Sequence, residues 1–183
     1  MSKLIKALGI ICLLCLALSS SAFAKDYVID TSQSDIKIHV GIVGISDIII
    51  DVPKFEGQFY YDPEELEKSS ATLKIFAKDL DGGSDFINER LASEFLFESD
   101  RHPYIFFKSM DIQILTPEHI KLKGHITVKN IQKYAVIDVH LREKHHPPKF
   151  YGFLAIQKSD FDMHYGAPII DDTVEIKFII SGK

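Results

Sequence analysis

Eight histidines are the most visible chemical resource of this chain. Neutral imidazole is the commonest protein ligand for zinc. The place for such a site would be His145-His146, beside Pro147-Pro148, with His119, His125 or His140 as further ligands. Zinc needs three or four convergent donors with supporting partners, and adjacent residues project to opposite sides of the chain. The pair therefore reads as loop histidines, and the expectation is no metal and no cofactor. Arg90, Arg101 and His102 form a second group. A guanidinium suits a phosphate or another polar head group through paired hydrogen bonds. Glu89, Glu94, Glu98 and Asp100 stand close by in sequence, so surface ion pairs are the simpler reading, with head-group contact as the alternative.

Catalysis needs a nucleophile with a positioned base, or paired carboxylates in a cleft. Neither emerges. Asp171-Asp172 reads as a turn before the last strand. Asp79, Asp81 and Asp85 surround Gly82-Gly83 and lack the full ligand set of a calcium loop. His164-Tyr165 would sit at most at the mouth of a fold. The expectation is no catalytic residue and no enzyme. The competing reading is a histidine-dependent, metal-binding stress protein or enzyme.

The start of the chain carries an export pattern: basic Lys3 and Lys6, an apolar Leu8 to Leu18, and small-x-small Ala22-Phe23-Ala24. Residues 1–24 are read as a cleaved signal peptide, and 25–183 as one periplasmic domain. The apolar stretch is shorter than the ~20 residues a membrane-spanning helix needs. Cys12 and Cys15 both lie within it, so the mature chain would have no thiol to bridge or to ligate a metal. The formal charge of -5 becomes -7 once Lys3 and Lys6 are gone. Without a basic run, nucleic acid is excluded as a partner.

What must position any functional residue is a set of strands, because apolar and polar residues alternate with a period of two. Ile36, Ile38 and Val40 share one face; Leu73, Ile75 and Ala77 share the next. Ile105 and Phe107 follow, then Leu122, Gly124, Ile126 and Val128, then Ala135, Ile137, Val139 and Leu141. Val174, Ile176, Phe178 and Ile180 end the chain. With Phe55 to Tyr61 and Tyr151 to Gln157, the pattern predicts roughly eight strands, an all-β antiparallel barrel or sandwich. From Ser84 to Phe97 the spacing changes: Phe86, Ile87, Leu91 and Phe95 recur at helical intervals, and Ser84 or Asp85 caps the start. This short helix is expected to cover one barrel end. A barrel of this size either fills its interior or holds one small ligand. Periodicity leaves both open.

The order of motifs bears on that choice. Tyr27-Val-Ile-Asp30 precedes Ser34-Asp-Ile36-Lys-Ile38-His-Val40, Phe55-Glu-Gly57 and Leu91-Ala-Ser93-Glu-Phe95-Leu-Phe97. Pro103-Tyr-Ile105-Phe-Phe107-Lys-Ser109, Gly124-His-Ile126-Thr-Val128-Lys-Asn130, Lys158-Ser-Asp160-Phe-Asp-Met163 and Val174-Glu-Ile176 complete the series. In this order they resemble the YceI-like family of exported lipid-binding proteins over essentially the whole mature length.

The resemblance implies an eight-stranded, lipocalin-like antiparallel barrel with one short helix and an apolar interior, and a carrier for a long-chain apolar lipid of the polyisoprenoid class. It also implies a tunnel wall. Alternation places Ile36, Ile38, Val40, Leu73, Ile75, Ala77, Ile105, Phe107, Ile126, Val128, Ile137, Val139, Ile176 and Phe178 on it, with Phe86, Leu91 and Phe95 from the helix region. A homodimer and transient contact with a membrane are the further partners expected. The chain departs from the family pattern in four places. Gln33 precedes Ser34 where histidine is usual, Ile42 replaces a second histidine, Ile87 to Leu91 replaces Arg-Asp-x-His-Leu, and Asp162 stands for a glycine. All four touch polar contacts and leave the apolar pattern intact.

Overall fold

The computed structural model describes residues 24–142 and 147–183. The expected leader with Cys12 and Cys15, and the pair His145-His146, lie outside them. One antiparallel sheet dominates, built from β1 (Lys25–Val28), β2 (Asp35–Ile42), β3 (Ile45–Asp51), β4 (Phe55–Tyr61) and β5 (Ser70–Phe76). Its second half is β6 (Tyr104–Thr116), β7 (His119–Val128), β8 (Ile131–Leu141), β9 (Lys149–Gln157) and β10 (Ile170–Ser181). The order across the sheet is β1-β4-β5-β6-β7-β8-β9-β10-β2-β3. Past β1 the chain meets the end of β10, where Val28 and Lys183 exchange backbone hydrogen bonds and Ile29 bridges Gly182. The sheet is thus curled around a single core, with one α-helix among the described residues, α1 (Asp85–Ala92), outside the ladder.

The count of ten corrects the expected eight. β1 has four residues, too few to show alternation. β3 hides its period because Ile48-Ile49-Ile50 is apolar on both faces; Ile50 is buried while Ile49, on an edge strand, is 48% exposed. Where one face is buried the alternation holds, since a slip of one residue would turn every apolar side chain outward. β8 alternates buried Ala135, Ile137, Val139 and Leu141 with exposed Val136 and His140. The β7–β8 hairpin closes through Lys129 and Asn130, with φ of 49° and 61°. Paired positive φ marks the two-residue turn whose twist suits a hairpin.

α1 is shorter than the helical spacing suggested. The Ser84 side chain accepts a hydrogen bond from the Ile87 N–H and caps its start, and the helix stops at Ala92. Beyond it the Phe97 N–H reaches the Leu91 carbonyl and the Glu98 N–H the Ser93 carbonyl, winding the chain into turns. Leu91 is therefore buried, while Phe86 lies off its face and Phe95 beyond the helix end.

Connections sort onto two ends. The helix end collects the β2–β3 turn, α1, the β7–β8 turn and the β9–β10 connection. Lys129 Nζ ties three of these together by donating to the carbonyls of Glu94 (3.4 Å) and Asp162 (3.1 Å). The opposite end collects the β4–β5, β6–β7 and β8–β9 connections, where the Leu141 N–H donates to Glu118 and the Gly182 N–H to Pro148.

Candidate functional site: an apolar cavity at one barrel end

The inward residues of these strands do not fill the barrel evenly. Toward the end opposite α1 they line a cavity of about 160 Å³. An engineered apolar cavity of about 150 Å³ stays dry and takes up benzene, so the void is large enough for a compact hydrocarbon group. Its wall is almost wholly apolar. The main contributors are Phe59, Leu73, Ile75, Phe107, Ile112, Ile120, Ile126, Ile137, Leu141, Phe150, Leu154 and Phe178, and Leu66 closes one side from the turn Leu66–Lys68.

Two glycines shape this space. The Gly124 position lies under the Phe107 ring: a Cβ there would stand 2.9 Å from ring carbons Cε2 and Cζ. Gly152 lies under the Phe178 ring in the same way, with Cε1 at 2.9 Å. A strand glycine often marks such a close approach. With both rings resting on bare backbone, the aromatic bulk is kept against the wall. Two buried polar groups on the adjoining strands and connection are satisfied. Ser109, buried at the β6 bulge, accepts the Ala71 N–H at 2.8 Å. The buried Asp62 carboxylate accepts the N–H groups of Glu64 and Glu65, which fixes the β4–β5 connection over the cavity.

Ten of the seventeen residues expected on the wall line this cavity: Ile36, Leu73, Ile75, Ile105, Phe107, Ile126, Ile137, Val139, Ile176 and Phe178. Ile38, Val40, Ala77, Leu91 and Val128 instead pack in or against the solid core toward the helix end. Phe86 and Phe95 are corrected outright, being 67% and 54% exposed. Their helical spacing with Ile87 and Leu91 suggested one shared face, but the helix ends before Phe95 and buries only the other side. The expected long tunnel is thus an end cavity. Ile112, Ile120, Leu122, Leu141 and Leu154 line it without having been expected there. Alternation within β7 and β8 carried the signal for three of them. In β9 the sequence Phe150-Tyr-Gly-Phe-Leu154 is apolar on both faces and gave none.

The three candidate head-group residues all belong to the helix end, across the barrel from the cavity. Arg90 stacks between the rings of Phe86 (5.6 Å) and Tyr165 (5.4 Å). Arg101 pairs with Glu98 at 2.8 Å, as the simpler reading held. His102 lies 3.6 Å from the same carboxylate, with its Nδ1 buried and unpartnered.

Other histidines meet on the outer face. His119 and His140 stack with ring centroids 4.1 Å apart, and His119 Nε2 lies 2.8 Å from Asp138 Oδ1. Among the described residues no group of three or more histidines, cysteines or carboxylates is placed to hold a metal ion. On the β9–β10 connection, hydrogen bonds from Ser159, with nearby Lys158, hold the Asp172 carboxyl below its ordinary value. This carboxylate fixes the connection by accepting both the N–H and the hydroxyl of Ser159. Among the described residues no helix is long and apolar enough to cross a membrane.

Residues 27–181 match the family described as YceI-like domain. A UPF0312 protein of Vibrio cholerae serotype O1 is 27% identical over 140 residues, covering 75% of this chain and 73% of its own. Among solved structures, BcnA of Burkholderia cenocepacia superposes with a TM-score of 0.79 at 23% identity, covering 83% of this chain and 98% of that one. A YceI protein of Campylobacter jejuni gives 0.67 at 17% identity, over 76% and 86%. A polyisoprenoid binding domain from Saccharophagus degradans, implicated in plant cell wall breakdown, gives 0.67 at 12% identity, over 86% and 97%. At these identities the structural likeness establishes the shared fold.

Proposed function

We propose that this chain, which belongs to the YceI-like domain family, is a non-catalytic binding protein for an apolar chain of the isoprenoid class, exported to the periplasm after cleavage at Ala24. The observation that carries the reading is the cavity: a void with an almost wholly apolar wall at the end of a curled sheet. Burying hydrocarbon there gains about 0.8 kcal/mol per methylene, so affinity needs no array of polar contacts. The isoprenoid class is supported by the shared fold with a polyisoprenoid binding domain. Binding and release, with no bond made or broken, is the work such a site performs.

The test is native mass spectrometry of the mature protein from its host, followed by solvent extraction of what it carries. A stoichiometric long-chain species supports the reading, and the intact mass reports whether the chain starts at Lys25. A clean unliganded mass, with no uptake of offered prenols, would overturn it.

A further inference from the structure

Several strands that line the cavity with their inward residues carry a second recess on their outer face. It is a groove of about 740 Å³, within the ~300–1,000 Å³ range of small-molecule sites. Two cross-strand rows form it, because outward residues of paired antiparallel strands stand side by side. Gln58, Thr72, Lys108 and His125 are successive register partners across β4, β5, β6 and β7, and Val28 of the edge strand β1 ends that row. Lys74, Phe106, Thr127 and Gln132 make the second row, from β5 to β8. A bulge in β6, where the register slips between Ser109 and Asp111, re-aims the intervening Met110. This side chain is 66% exposed and adds a further apolar surface to the groove.

The chemistry of these rows is not that of the cavity. Lys74 of β5 and Lys123 of β7, on the strands either side of Lys108, are held by Glu56 and Asp111. Among the described residues the Lys108 ammonium has no carboxylate partner, so a positive charge is left open in a chain of formal charge -5. The side chains of Gln58, Thr127 and Gln132 likewise make no hydrogen bond among the described residues. Between the two glutamines lies Phe106, 44% exposed. An apolar tail would leave these polar groups without partners, and nucleic acid would need many cations rather than one. A peptide that adds as a strand needs a free sheet edge, whereas this groove crosses the face of paired strands. What fits is a ligand that alternates C–H surface with hydroxyls and carries an anionic group.

We propose that this outer groove is a binding site for an acidic saccharide, with a sugar carboxylate on Lys108, hydroxyls on Gln58, Thr127 and Gln132, and a ring face against Phe106. The four strands of the first row cover roughly 14 Å, so the site is longer than a single sugar ring. It lies on the other face of the sheet from the lipid cavity and does not depend on that reading.

The experiment follows backbone amide shifts of the isotope-labelled mature protein during titration with a mannuronate trisaccharide, its carboxyl-reduced mannose counterpart and inorganic phosphate. The acidic sugar is expected to bind most tightly and to shift amides around Lys108, His125 and Thr127. Lys108→Gln, at an exposed position, should lower affinity for the acidic sugar at least about fivefold while leaving the neutral one within about twofold. Thr127→Val and Phe106→Ala should weaken both sugars, and Thr127→Val keeps the side-chain shape if Phe106→Ala fails to fold. No shift at these amides with either sugar at millimolar concentration would overturn the proposal. So would phosphate binding as tightly as the acidic sugar, which would leave Lys108 a lone surface cation. Equal affinity for the two sugars, or undiminished acidic-sugar affinity in folded Lys108→Gln, would also overturn it.

Discussion

The ring of Phe178 occupies the space that a side chain on Gly152, its direct cross-strand partner, would need. A Cβ on Gly152 would meet both this ring and the Asp138 carbonyl of the neighbouring strand. Glycine at this position therefore keeps an aromatic wall residue out of the lumen. Gly152→Ala should destabilise the fold by about 1–3 kcal/mol, as forced overpacking does. Adding Phe178→Leu should restore only part of that loss, since the carbonyl contact persists. Urea denaturation of the single and double variants measures the coupling.

Filling the cavity should remove binding with little harm to the fold. Ala71 lines the void and sits next to its β4–β5 side. Ala71→Phe is expected to lower affinity for a long-chain prenol at least about tenfold, which corresponds to about 1.4 kcal/mol. Titration of the prenol, beside a thermal melt, separates occlusion from unfolding.

Arg90 and Arg101 are held at the helix end by aromatic rings and by Glu98, far along the barrel from the cavity. Replacing both with alanine should leave affinity for a pyrophosphate-headed prenyl lipid within about twofold, below about 0.4 kcal/mol. A loss of tenfold or more in the same titration would return the head group to this end of the molecule.

Ser109 is 8% exposed, and its hydroxyl is the acceptor for the Ala71 N–H across β5 and β6. Ser109→Ala leaves that donor without a partner in an apolar setting, at a cost of about 1–3 kcal/mol. Ser109→Thr, which keeps the hydroxyl, should lose less. Chemical denaturation of the pair reports the difference.

Asp172 has its carboxyl lowered from 3.8 by the Ser159 hydrogen bonds and Lys158. A group whose folded pKa lies below its unfolded value contributes stability that is complete above the unfolded value and is lost as pH falls through the folded one. Its contribution should therefore be constant at neutral pH and decline below 3.8. Asp172→Asn should flatten that part of the acid-unfolding curve, and Ser159→Ala should do the same by removing the cause of the shift. An unchanged acid limb in both variants would show that the connection is held by other contacts.

Legibility differed from strand to strand for a physical reason. β2, β7, β8 and β10 each bury one face, so the side-chain period of two was written into their composition, and the inward residues Ile36, Ile126, Ile137 and Ile176 were identifiable before any coordinates. β3 and β9 carry apolar residues on both faces and gave no parity, which concealed Leu154 and the edge strand itself. Phe86 and Phe95 misled because helical spacing states which residues share a face without stating where the helix ends.

By itself, then, the sequence determined the class of elements, the inward faces of the half-buried strands and, through the order of its motifs, the family. Alternation is a local property, enforced residue by residue by burial of one sheet face, and can be read without knowing the neighbours. Only the tertiary structure decided that the interior is hollow at one end and solid at the other. That outcome depends on how side chains from distant strands and connections, Ile38, Val128, Val174 and Phe161 among them, fill the core. It depends equally on two glycines that let Phe107 and Phe178 rest against neighbouring strands. Free volume is a sum over residues far apart in the chain, and no local pattern records it.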